Sequence, residues 1–149
     1  EKRGGVANCA VTISDRRISS PIVTEPTILV VMNNTSLERF EKSVVSGGLI
    51  IVNSSLVDIP VQRDDVNVFS IRANEEAEAL GDPMVAVNII LGALVEFAGA
   101  VSIESVAESL KEVLPERRHG MIPINVKALE RGSKLAREYN ISKKANITG

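Results

Sequence analysis

Hydrophobic and polar residues along this chain divide into two periodicities, and the change between them outlines an α/β fold. Val6–Ser14 alternates, with Ala7, Cys9, Val11 and Ile13 on one face, which predicts a strand with one buried side. Asp15-Arg16-Arg17 reads as a turn, and Ile18–Val23 as a short extended connector because Pro21 removes a ladder donor. Thr27–Met32 and Leu49–Val52 are continuous β-branched and aliphatic runs, the pattern of strands buried on both faces of a parallel sheet. Asn67–Ile71 supplies a further strand.

Helical stretches lie between and after these runs. Thr35 with Glu38 makes a capping-box pattern and predicts a helix from Ser36 to about Val45, ended by Gly47-Gly48. A short helix is expected between Ala73 and Leu80. Asp82-Pro83 then starts an almost wholly apolar helix, Met84–Ala98, in which Gly92 permits close approach of a neighbour. Ser102 caps a helix reaching Leu114, with Val106, Leu110, Val113 and Leu114 as its apolar stripe. The last helix runs from about Ile124 to Tyr139, and a frayed polar tail is expected over residues 141–149. Buried strands joined by helices predict one domain, residues 1–149, of the three-layer α/β/α class with a mostly parallel sheet.

Composition narrows the function. The chain has 149 residues, a net charge of −2 and 3 % aromatic residues, so it lacks the basic face and stacking platforms of nucleic-acid binders. The apolar stretch Met84–Gly99 is short for a bilayer crossing and is interrupted by Asn88 and Glu96, so no membrane span is expected. One cysteine and one histidine cannot make a disulfide, a structural zinc site or an iron–sulfur cluster, and a cytoplasmic setting follows from that cysteine usage. There is no P-loop, nucleophile elbow, H-E-x-x-H or dinucleotide fingerprint, so no catalytic or metal-ligating residue is assigned.

The polar residues that stand out have a functional and a structural account each. Asn33 and Asn34, and Asn53-Ser54-Ser55, follow buried strands, where ligands gather in open parallel sheets, but the same residue types cap helices and anchor loops. Arg3-Gly4-Gly5 combines a bidentate anion grip with a backbone able to approach a ligand closely; its structural account is a tight turn. Cys9, between apolar neighbours, is expected to be a core thiol. His119, beside Arg117 and Arg118, reads as a solvated basic loop ahead of a phosphate or coenzyme A contact. Arg63-Asp64-Asp65 reads as a turn rather than a metal site, and Glu96 needs a partner or an exposed edge.

Taken together, RGGVANCAVTISD at 3–15, ISSPIV at 18–23, TILVVMNNTSLERF at 27–40, GGLIIVNSSLV at 47–57 and VNIILGALVEFAG at 87–99 resemble the gamma subunit of the 2-oxoacid:ferredoxin oxidoreductases. That family includes the pyruvate, 2-oxoisovalerate, indolepyruvate and 2-oxoglutarate enzymes. The resemblance implies oxidative decarboxylation of a 2-oxoacid with coenzyme A to acyl-CoA, CO2 and reduced ferredoxin. It implies thiamine diphosphate held by alpha and beta subunits, and iron–sulfur clusters in a ferredoxin-like delta part and often in beta. The gamma chain is expected to carry none of these itself, to be inactive alone, and to shape coenzyme A access from an interface. Arg3, Gly4, Gly5, Asn33, Asn34, Asn53, Ser54 and Ser55 are the expected interface or ligand-loop residues. The family's opening strand and glycine-rich GxGGQG turn have no match here, so the sheet is expected to lack its first strand. A stand-alone α/β module binding a nucleotide or coenzyme A is the competing expectation.

Overall fold

A computed structural model describes residues 7–20 and 22–147, with the side chains of 144–147 left aside. Three parallel strands, β1 (Ile28–Val31), β2 (Leu49–Asn53) and β3 (Asn67–Ile71), pair in the order β1-β2-β3. Their register aligns Val30 with Ile51 and Ile51 with Phe69, so side chains alternate in step across the sheet. Ile28, Val30, Leu49, Ile51, Phe69 and Ile71 face one layer; Leu29, Val31, Ile50, Val52 and Val68 face the other.

The second layer is thin. Helix α1 (Asn34–Phe40), the 3-10 turn that follows it and the β2–β3 connection bury Leu37, Val44 and Val57 against it. The first layer holds α2 (Ala73–Ala79), α3 (Ala86–Ala98) and α5 (Ile122–Ile147), whose Ala77, Ile89, Ala93, Ala128 and Ala136 are fully or almost fully buried. Helix α4 (Ile103–Val113) packs over α5 without burying any residue completely. The α/β/α class with a parallel sheet is therefore observed.

Small residues set the closest contact. A Cβ added to Gly132 of α5 would lie 1.8 Å from the Ile89 carbonyl oxygen, and one added to Gly92 of α3 would lie 2.0 Å from that of Leu129. Each helix thus presents a glycine to the other's backbone. Phe69, Phe97 and Tyr139 close the lower end of this layer, with ring centroids 5.1–6.0 Å apart in edge-to-face geometry, and the Tyr139 hydroxyl donates to the Val68 carbonyl at 3.0 Å.

Several expectations are corrected. No strand forms over Ala7–Ser14; these residues are exposed and run without turn or bend, and Val6 lies outside the described residues. A strand needs a hydrogen-bonded neighbour, and none is offered by the described residues, so the alternating pattern alone does not make one. Cys9 is accordingly exposed rather than a core thiol. Asn33, not Thr35, caps α1: its extended backbone (φ −159°) lets its side-chain oxygen accept the Ser36 N–H at 2.8 Å. Helix α5 continues through Ile147, past the expected stop at Tyr139 and into the segment expected to fray; 148–149 lie outside the described residues. The Asp82 and Ser102 caps, by contrast, stand where the sequence puts them. Asp82 opens a single 3-10 turn before α3 begins.

Candidate functional site

The C-terminal ends of β1 and β2 gather Asn33, Asn34, Asn53, Ser54 and Ser55 on one edge of the sheet, where ligands sit in open parallel sheets. Their hydrogen bonds decide what that edge can do. Asn53 is fully buried. Its Oδ1 accepts the N–H groups of Ser55 at 3.2 Å and Ala73 at 3.3 Å, and its Nδ2 donates to Asn74 Oδ1 at 3.0 Å. One amide thus fixes both the turn after β2 and the first residue of α2. Ser55 Oγ accepts the Asn74 N–H at 3.1 Å and donates to the Glu75 carboxylate, a bond that holds the Glu75 carboxyl below its usual range.

A second clamp joins β1 to the same loop. Asn34 Nδ2 donates to Asp58 Oδ1 at 2.6 Å, and the Asp58 N–H donates to Asn34 Oδ1 at 3.1 Å. Asn33 serves as the α1 cap. Ser54 is exposed, and its N–H donates to the Ile71 carbonyl at 2.9 Å. Asn33, Asn34, Asn53 and Ser55 thus each make hydrogen bonds within the chain that stiffen the rim. Leu56, 51 % exposed, projects from that stiffened loop. Arg3, Gly4 and Gly5 lie outside the described residues. The sequence reading missed Asp58, Asn74 and Glu75, none of which belongs to a motif; the only signal was polar residues just beyond strand ends.

The other singled-out groups are also bound internally. Arg63 forms a two-bond fork on Asp65 at 2.7 and 2.5 Å and donates to the carbonyls of Glu41 and Val44, so the Arg63-Asp64-Asp65 turn ties the β2–β3 connection to the end of α1. That fork lowers the Asp65 pKa to about 2. Glu96 accepts from Ser133 Oγ at 2.6 Å and pairs with Arg137 at 3.4 Å, a contact within the chain between α3 and α5. A ring nitrogen of His119 lies 2.9 Å from the Leu114 carbonyl and tethers a 3-10 segment.

Recesses open elsewhere among the described residues. One, of about 420 Å³, lies at the N-terminal end of the strands beside Gly48, Asn67 and Lys143; another, of about 920 Å³, lies between α3, α4 and α5 beside Glu96, Glu104 and Arg137. Neither joins the clamped residues of the strand ends. No group of three His, Cys, Asp or Glu side chains close enough to hold a metal occurs among the described residues. None of their helices is long and apolar enough to cross a membrane. An iron–sulfur cluster needs several thiolates, and Cys9 is the single cysteine in the sequence.

Comparison with known proteins gives the lineage. The family model for pyruvate ferredoxin/flavodoxin oxidoreductase matches residues 1–135. The 2-oxoglutarate synthase subunit KorC of Methanothermobacter marburgensis is 33 % identical over 144 residues, covering 93 % of this chain and 76 % of that protein. The ketoisovalerate oxidoreductase subunit VorA of Methanothermobacter thermautotrophicus is 32 % identical over 139 residues, and the match spans 93 % of this chain but only 28 % of that longer protein. In structure, the gamma subunit of a keto/oxoacid ferredoxin oxidoreductase from Geobacter sulfurreducens superposes with a TM-score of 0.67 at 23 % identity, over 75 % of this chain and 64 % of that one. The fold is thus shared with that subunit. By the extent of the family match and the KorC coverage, the chain belongs to the pyruvate ferredoxin/flavodoxin oxidoreductase family.

Proposed function

We propose that this chain is the gamma component of a 2-oxoacid:ferredoxin oxidoreductase. In that complex a 2-oxoacid is decarboxylated with coenzyme A to an acyl-CoA, CO2 and reduced ferredoxin. The observation that carries the reading is the match to KorC over most of both chains. The strand-end geometry supports it: the polar side chains there hold loops in place. The reactive groups belong to neighbours. Thiamine diphosphate is assigned to alpha and beta subunits, and the iron–sulfur clusters to a ferredoxin-like delta subunit and to beta. Coenzyme A enters past the rim formed by Asn33, Asn34, Asn53, Ser54 and Ser55, with Arg3, Gly4 and Gly5 as further ligand-loop residues. The setting is cytoplasmic.

The test is reconstitution. The purified chain alone is expected to show no 2-oxoacid-dependent reduction of a one-electron acceptor. Co-expression with alpha, beta and delta subunits is expected to give coenzyme A-dependent activity. Full activity from a complex lacking this chain would overturn the proposal.

A further inference from the structure

Helix α4 is attached to the helical layer far more loosely than α3 and α5 are to each other. Those two are locked by glycine against backbone at Gly92 and Gly132, by the Asn88–Asn125 amide pair, and by Glu96 on Ser133 and Arg137. Ile103, Val106, Ala107 and Leu110 form the inward stripe of α4, and all four are only half-buried. Among the described residues no side-chain hydrogen bond or ion pair joins α4 to α3 or α5; Ser102, Ser105 and Ser109 bond within their own turns. Between α4 and the α3–α5 pair lies the recess of about 920 Å³, with Val95 and Val126 in its lining.

Both ends of α4 can act as pivots. Gly99 closes α3 in the left-handed region (φ 61°), and residues 100–101 bend before the Ser102 cap. The Ser102 hydroxyl accepts the Ser105 N–H at 3.1 Å, so the cap belongs to α4 and travels with it. At the other end Leu114 and Pro115 are extended, and His119 ties the Leu114 carbonyl to the following 3-10 segment. That end is held while the rest of the helix turns about it. An eleven-residue helix is marginal without packing, so α4 frays once released.

We propose that α4 is a hinged lid on this recess: it leaves α3 and α5 as a unit while the sheet and the α3–α5 pair stay folded. Opening bares Val95 and Val126 and the bonded cluster of Glu96, Ser133 and Arg137. Elements held by few buried contacts open locally far more often than the whole molecule unfolds. Nothing in this motion depends on the oxidoreductase reading.

Hydrogen exchange of the purified chain, followed amide by amide by NMR, tests it. Amides of residues 107–113 are expected to exchange at least about a hundredfold faster than those of residues 90–97 in α3. Low urea is expected to change the α4 rates little, because a local opening exposes little surface. Ser109→Pro breaks α4 at an exposed position. It is expected to abolish protection within α4 while the α3 and α5 amides stay protected and the remainder still unfolds in one cooperative transition. Amides of α4 that exchange with the rate and urea dependence of those in α3 overturn the proposal. So does an α4 without any protection in the parent chain, or a Ser109→Pro chain whose α3 amides lose theirs.

Discussion

Replacing Gly132 with alanine probes the contact on which the helical layer is built. The new Cβ would lie 1.8 Å from the Ile89 carbonyl oxygen, 2.7 Å from its carbon and 3.0 Å from the Ala93 nitrogen, all backbone atoms that no rotamer change can move. Carbon–oxygen contacts settle near 3.3 Å, so α3 and α5 must part by roughly 1.5 Å. Parting them loosens Ile89, Ala93, Ala128 and Leu129, each fully buried. Overpacking of this kind costs about 1–3 kcal/mol or more, and the better helix propensity of alanine returns about 1 kcal/mol. Relaxation is limited because α5 is held elsewhere, by Arg131 on Glu76 at 2.7 Å and by Tyr139 on Val68. The upper end of the range therefore applies, and the net expected loss is about 2 kcal/mol. Urea denaturation followed by circular dichroism measures it. Gly120→Ala, where an added Cβ meets nothing within 4 Å, is the control and is expected to stay within about 0.5 kcal/mol of the parent. Gly92→Ala combined with Gly132→Ala should cost less than the sum of the two, since one separation of the helices accommodates both. If Gly132→Ala proves as stable as the control, the glycine pair does not govern the packing of these helices.

Two other substitutions test the rim and the turn. Asn53→Leu keeps the branched heavy-atom shape but leaves the N–H groups of Ser55 and Ala73 without their acceptor; a loss of about 2–3 kcal/mol is expected in the same urea experiment. Asp65 has a folded pKa of about 2 against an ordinary 3.8, chiefly because Arg63 hydrogen-bonds its carboxylate. A depressed pKa stabilises the fold above the unfolded value and ceases to do so as pH falls through the folded one. Denaturation midpoints of the parent and Asp65→Asn should therefore differ most above about pH 4 and converge toward pH 2; a gap independent of pH would sink this assignment.

Much of the architecture was legible in the chain. Thr27–Met32 and Leu49–Val52 are apolar on consecutive residues, which only a strand covered on both faces requires, and the structure covers both. Asp82 and Ser102 announced their helices because a cap is a local interaction between residues a few positions apart. Gly92 was legible as a point of close approach, but its counterpart Gly132 was not, because its neighbours in α5 are polar and nothing in sequence pairs it with Ile89. The Asn53 rim was located but not understood. Its partners Ala73 and Asn74 lie about twenty residues away, and only the parallel register of β2 and β3 brings them within reach.

Local chemistry therefore determined where strands and helices begin and which faces are apolar, since periodicity and capping act over a single turn or a few residues. Tertiary structure alone decided what each exposed or polar group does. Val6–Ser14 has a strand's pattern in sequence, but pairing belongs to two segments at once, and no described strand pairs with Ala7–Ser14. Hydrogen bonds and interlocked backbones join residues distant in sequence, so the same asparagine or glycine reads as a ligand contact or a structural clamp only once its neighbour in space is known.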